Sequence, residues 1–201
     1  MRGGVRAGVV SVFLAIPASA EPAADCRIRT VAVDGDGVAT VEARCHWDVE
    51  PARLVAILRD PARLGAALST LSECRAVPGG RVEVHSVGWP LADRQVTVDW
   101  REQALPDGGT RFTYARSQRQ EPLAPGRVQI EIDEGWWEVR KNARGGATLA
   151  YSSRYDAGAS LAPFAVRAFV GDAIEKSLAE LRAAAEAFDR PTVAVSSAPP
   201  E

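Results

Sequence analysis

Two histidines, three cysteines and a scatter of acids carry the reactive chemistry of this chain, and their spacing assembles none of the usual reaction centres. Cys45 and His46 are adjacent, so in a strand their side chains leave on opposite faces, and no His/Cys/Asp group has the spacing of a zinc site. His85 stands alone. There is no Gly-x-Ser-x-Gly elbow, no phosphate-binding loop and no dinucleotide fingerprint. Glu131 and Asp133 alternate with Ile130 and Ile132, and in a pocket such a pair could exchange protons with a substrate. Acids opposite an apolar strand face are by default solvated, and that is the expectation for both. No catalytic residue, metal ligand or cofactor is assigned.

What the chain does have is rings. Trp100, Phe112, Tyr114, Trp137, Tyr151 and Tyr155 fall in four strand-like runs, Arg94–Glu102, Thr110–Gln118, Val128–Arg140 and Ala147–Asp156, and Trp89 just precedes them. By the two-residue period of a strand, Val96, Val98 and Trp100 share one face, Phe112 and Tyr114 another, and Leu149, Tyr151 and Tyr155 a third. Rings gathered in this way either fill a core or line a cavity for an apolar ligand. Arg116 continues the face of Phe112 and Tyr114. Pointing inward it would be paired or meet a polar ligand head, because an unpaired buried charge is not tolerated; past the buried part of its strand it would be solvated.

The elements that must position these rings change character at Pro163. Ile174, Leu178, Leu181, Ala185 and Phe188 recur at helical spacing, with Asp172, Glu175, Lys176, Glu180 and Arg182 mostly elsewhere around the helix. Gly171, on the face that also carries Phe164, costs a helix about 1 kcal/mol relative to alanine. Either ligand or sheet approaches closely there, or the glycine is simply tolerated. Upstream, Arg27–Val33 and Val38–Arg44 alternate about Asp34-Gly35-Asp36-Gly37, a hairpin composition. Asp48 reads as an N-cap with Pro51 early in a helix to about Arg59, and Asp60-Pro61 restarts a second helix to about Ser72. Gly79-Gly80 ends that connection, and Arg81–Val87 is a strand. The order predicts an α+β domain, about Asp25–Arg190, in which a curved antiparallel sheet wraps a long C-terminal helix.

With 201 residues the chain suffices for one domain with a real core. Met1–Ala20 has the form of a secretory signal peptide: Arg2 and Arg6, an apolar run over Ala7–Ile16, and Ala18-Ser19-Ala20 for cleavage. Export is therefore expected, to a bacterial periplasm. The formal charge of −2 becomes about −4 without the two leader arginines, so nothing electrostatic points to nucleic acid. Folding the first hairpin about its turn brings Cys26 opposite Cys45, and a disulfide is expected there. Cys74 is then a free, buried thiol. Pro191–Glu201 has little to bury and reads as a disordered tail.

Local sequence adds a resemblance. Gly88-Trp89-Pro90-Leu91-Ala92-Asp93-Arg94 resembles the Pro-x-x-x-Asp-Arg-Asp turn of bacterial START-like proteins, the helix-grip relatives of StAR-related lipid-transfer domains. Tyr155-Asp156-Ala157-Gly158-Ala159-Ser160-Leu161 resembles the Asp-Pro-Gly-Gly-Ser-Leu-Pro approach to their last helix. Ile174–Leu181 with Arg182 is similar to their closing Leu-x-x-Leu-Arg. The likeness spans about Val38–Phe188. Gln95 stands where an Asp is usual, and Ala157 and Ala159 replace a Pro and a Gly. Asp93 and Arg94 are expected to fix the turn. The resemblance implies a helix-grip fold that binds, transfers or senses a lipid or other hydrophobic small molecule, with transient membrane contact, as a monomer. Cyclase or aromatase activity and a ligand-free interaction module are the alternatives. The expected lining is Trp89, Val98, Trp100, Phe112, Tyr114, Arg116, Trp137, Tyr151, Tyr155, Leu161, Phe164 and Gly171, and the expected gate is the Ala157–Pro163 connection.

Overall fold

The computed structural model describes residues 26–34, 38–86, 93–156 and 163–188, with only the backbone of 29–32 and 163–169. The expected leader, Trp89, Leu161, the Ala157–Ala162 part of the expected gate and the expected C-terminal tail lie outside the described residues, as does the side chain of Phe164. In chain order the elements are β1 (Cys26–Val33), β2 (Val38–Trp47), α1 (Pro51–Arg59), α2 (Pro61–Ala67), β3 (Leu71–Val77), β4 (Arg81–Ser86), β5 (Arg94–Ala104), β6 (Thr110–Arg116), β7 (Val128–Gln129), β8 (Asp133–Lys141), β9 (Ala147–Asp156) and α3 (Pro163–Ala187).

The strands form one sheet in the order β1-β2-β9-β8-β6-β5-β4-β3, with β7 added in parallel beside β5. Every other pairing is antiparallel. In β2 the inward set Val41, Ala43, Cys45 and Trp47 alternates with exposed residues, the pattern of a sheet with one face on a core. The register sets Cys26 opposite Cys45, and a disulfide joins them. On α3, Val170, Ser177, Leu178, Leu181 and Ala185 are buried, one stripe at helical spacing turned to the sheet. This is the helix-grip architecture.

Three local expectations are corrected. The N-cap position of α1 is Glu50, not Asp48, and its side chain makes no capping bond; as the residue before Pro51 it is held in the extended region (φ −64°, ψ 126°). Asp60 does cap α2, its carboxylate accepting from Ala62 N at 3.0 Å. α2 ends at Ala67, and Leu71–Val77, read as helix end and connection, is an edge strand. Only Cys74 and Val77 of β3 are buried, and its register shifts between Leu71 and Glu73, so the alternation that announces a strand is missing. The run Val128–Arg140 is two strands, since its start pairs in parallel with β5, where Ile130 N bonds Gln95 O at 3.1 Å, while Asp133–Lys141 pairs with β6 and β9.

A strap at 117–127 crosses the outer face of β4 and β5. Gln120 Oε1 accepts from Thr97 N at 2.8 Å, and the buried Gln95 amide accepts from Ala124 N and donates to Pro122 O and Glu83 Oε1. His85 Nε2 lies 2.7 Å from the same Glu83 oxygen. An amide that donates and accepts is what position 95 requires, and an Asp there would face Glu83 with a second carboxylate. These buried polar groups, His85 among them, fasten a loop.

Candidate functional site

Between the inner sheet face and α3 lies a cavity of about 590 Å³. Cross-strand register builds its wall in rows. Trp100 faces Tyr114, Tyr114 faces Gly135, Gly135 faces Ser153 and Ser153 faces Val41, one row across five strands. Two residues along, Phe112, Trp137, Tyr151 and Ala43 form the next; on the other side Asp133, Tyr155 and Ala39 form a third. Trp100 stacks on Tyr114 with centroids 5.7 Å apart, and Trp137 meets Tyr151 at 4.1 Å. A Cβ on Gly135 would overlap the Ser152 carbonyl and lie 2.7 Å from the Tyr114 hydroxyl, so glycine is what admits that ring.

Of the residues singled out in the sequence, Val98, Trp100, Tyr114, Trp137, Tyr151 and Tyr155 line the cavity. Phe112 does not. It is fully buried in the core on that same face, its ring 6.0 Å from that of Trp100. Nor does Arg116, whose guanidinium donates to Ile130 O at 3.0 Å and pairs with Glu131 at 3.3 Å beyond the buried part of β6. Gly171 is half-buried on α3, flanked by the lining residues Val170 and Asp172.

The principal residue missed is Asp133. Expected in solvent, it lines the cavity, while Glu131 is the solvated acid. Ile130 also lines the cavity, although the two are three positions apart and strict alternation would put them on opposite faces. The irregular stretch between β7 and β8 shifts the alternation by one, which turns every following side chain over. Burial, and then the neighbouring Glu134, push the Asp133 carboxyl up to about 7. Around it the phenols stay neutral: burial pushes Tyr151 and Tyr155 up to about 12 and holds Tyr114 well above the ordinary phenol value. The Tyr114, Tyr151 and Ser153 hydroxyls hydrogen-bond one another. Arg94, expected to fix a turn, is buried in the wall close enough to Tyr155 to draw its phenol part of the way down. Cys74, also in the lining, has its thiol pushed up to about 12 by burial and by Asp60, which leaves it inert.

The cavity reaches solvent between α3 and the turn from α2 to β3, where Ser69, Thr70, Asp172 and Lys176 sit in its rim. Side chains clasp that rim. Glu180 accepts from Ser69 N at 2.8 Å and Ser69 Oγ at 2.5 Å, and the Thr70 and Ser177 hydroxyls meet at 3.0 Å. Among the described residues no His/Cys/Asp/Glu group could hold a metal, and no helix is long and apolar enough to cross a membrane.

No curated protein matches the chain significantly. Among solved structures it resembles a STAR-related lipid transfer protein from Xanthomonas axonopodis (TM-score 0.69, 17% identity, 83% of this chain and 97% of that one). It likewise resembles human STARD10 (0.70, 14%, 82% and 71%) and the Zhui aromatase/cyclase from Streptomyces (0.51, 14%, 76% and 96%). At these identities the likeness is one of fold. Residues 38–186 match the family described as polyketide cyclase / dehydrase and lipid transport, a range that holds β2 to β9 and all but the last residue of α3. The chain belongs to that family, within the START-like helix-grip superfamily.

Proposed function

We propose that this protein binds a lipid or other hydrophobic small molecule between sheet and α3 and carries or senses it outside the cytoplasm. The observation that carries the reading is the ring-lined cavity of about 590 Å³, a size and character suited to a small apolar ligand. Burying ~300 Å² of such a ligand contributes roughly 7 kcal/mol, equivalent to a Kd of about 10 μM before association costs weaken it. The Cys26–Cys45 disulfide supports an oxidising compartment, in keeping with the expected leader.

Native mass spectrometry of protein purified from the envelope of its own host tests this. A co-purifying hydrophobic molecule that leaves on denaturation is the expected result. A persistently empty protein that also fails to take up an added environment-sensitive dye overturns it. A second reading, acid–base chemistry on a bound substrate, is favoured by Asp133 alone, a cavity carboxyl shifted towards neutrality. Chemical change of a bound molecule over time would select it.

A further inference from the structure

Granted that the cavity binds a hydrophobic molecule, its walls restrict which one. We propose that the ligand is a compact single-chain or fused-ring molecule whose polar end is an uncharged hydrogen-bond donor, a hydroxyl or an amide, held inside the cavity by Asp133; fatty acids and two-chain phospholipids are excluded.

Size gives the first half. At ~30 Å³ for each water-sized group, about 590 Å³ accommodates on the order of twenty non-hydrogen atoms, against roughly fifty in dipalmitoyl phosphatidylcholine. The second half comes from what surrounds Asp133. It is half-buried, and the surface it keeps faces the cavity. Cross-strand from it is Tyr155, and the hydroxyls of Tyr114 and Tyr151 are spent on each other and on Ser153. No described side chain forms an ion pair with Asp133. Arg94, the cation in the same wall, already has a partner. Lys176 is out at the rim, 4.0 Å from Glu180, with Asp172 beside it, and Glu134 points to the outer face and pairs with Arg154 at 3.2 Å. A carboxyl so placed has lost water on entering the fold and has acceptor capacity to spare. A ligand hydroxyl or N–H fills it; a ligand carboxylate sets like charge against like in a medium of low dielectric.

The test is displacement of the neutral dye Nile red at pH 8 by cetyl alcohol, palmitate and dipalmitoyl phosphatidylcholine, delivered from cyclodextrin, in the wild type and in Asp133→Asn. The wild type is expected to prefer cetyl alcohol to palmitate, its match in chain length, by about tenfold or more and to ignore the phospholipid. In Asp133→Asn the preference should shrink to about threefold or less, chiefly because palmitate gains. Equal affinity for alcohol and acid in the wild type, a preference that survives the substitution, or tight phospholipid binding overturns the inference while leaving hydrophobic binding intact. Failure of the dye and all three lipids to bind overturns both. Should Asp133→Asn fail to fold, the wild-type comparison of alcohol, acid and phospholipid still decides.

Discussion

Gly135 and Asp133, two residues apart on one strand face, make opposite demands on the sheet. Gly135 gives up its side chain so that a tyrosine ring can lie across β8. Gly135→Ala should cost at least ~2 kcal/mol by overpacking against backbone, read as a lower denaturation midpoint at unchanged slope. Asp133 imposes a cost in the native state. Its folded carboxyl titrates at about 7, above its ordinary value of 3.8, so between those values the folded protein holds a proton that the unfolded chain has lost. This group's contribution is therefore most favourable below about pH 4, declines as pH rises to about 7, and is flat above. Asp133→Asn should melt higher than wild type at pH 8, by an amount on the order of 3 kcal/mol, with the gap closing near pH 4. Melting curves at both pH values check it. A gap independent of pH would show that packing, not charge, separates the two proteins.

α3 is held to the sheet by its apolar stripe and to the α2–β3 turn by hydrogen bonds, and the two kinds of contact serve different ends. Leu178 and Leu181 are buried in the core. The bonds from Ser69 to Glu180 lie on the rim and are exposed, so breaking them costs less. Glu180→Ala should accelerate dye release by roughly three- to thirtyfold while lowering stability by no more than ~1 kcal/mol. Stopped-flow release alongside thermal melting separates the two effects. At this scale the sequence was most legible where a periodicity ran unbroken. The β9 run and the α3 stripe were read with almost the bounds the fold gives them, because each keeps a single period over its length. Where the period fails, reading failed: β3 alternates too poorly to announce itself, and the break between β7 and β8 hid the parity change that puts Asp133 inside. That change depends on Ile130 N finding Gln95 O, a pairing between residues 35 apart in sequence that no local pattern contains.

Across the whole molecule, family resemblance and hairpin counting carried most of what could be read. Register alone brought Cys26 to Cys45, and six of the anticipated lining residues do face the cavity. Phe112 and Arg116 show the limit. Both share a strand face with Tyr114, but whether a side chain on that face meets cavity, core or solvent depends on how far along the strand the helix reaches. The disulfide ties the first strand to the second near the opposite end from their turn. Replacing both cysteines by serine should cost about 3 kcal/mol in chemical denaturation, the loop-closure value for a separation of 19 residues.

Among the described residues the sheet does not close on itself, which leaves β1 and β3 as its two edges. An unpaired edge is a template on which another chain can add a strand. Here the β3 edge presents Glu73 and Arg75, exposed and ion-paired to each other at 3.1 Å, and the β1 edge presents the exposed Arg27. A second copy docking antiparallel on either edge would have to strip water from these charges and, at β1, bring arginine towards arginine. The open sheet is thereby protected against polymerising through its own hydrogen bonds. Light scattering should give one mass from micromolar to millimolar protein, and Arg27→Val with Glu73→Val and Arg75→Val should make that mass rise with concentration.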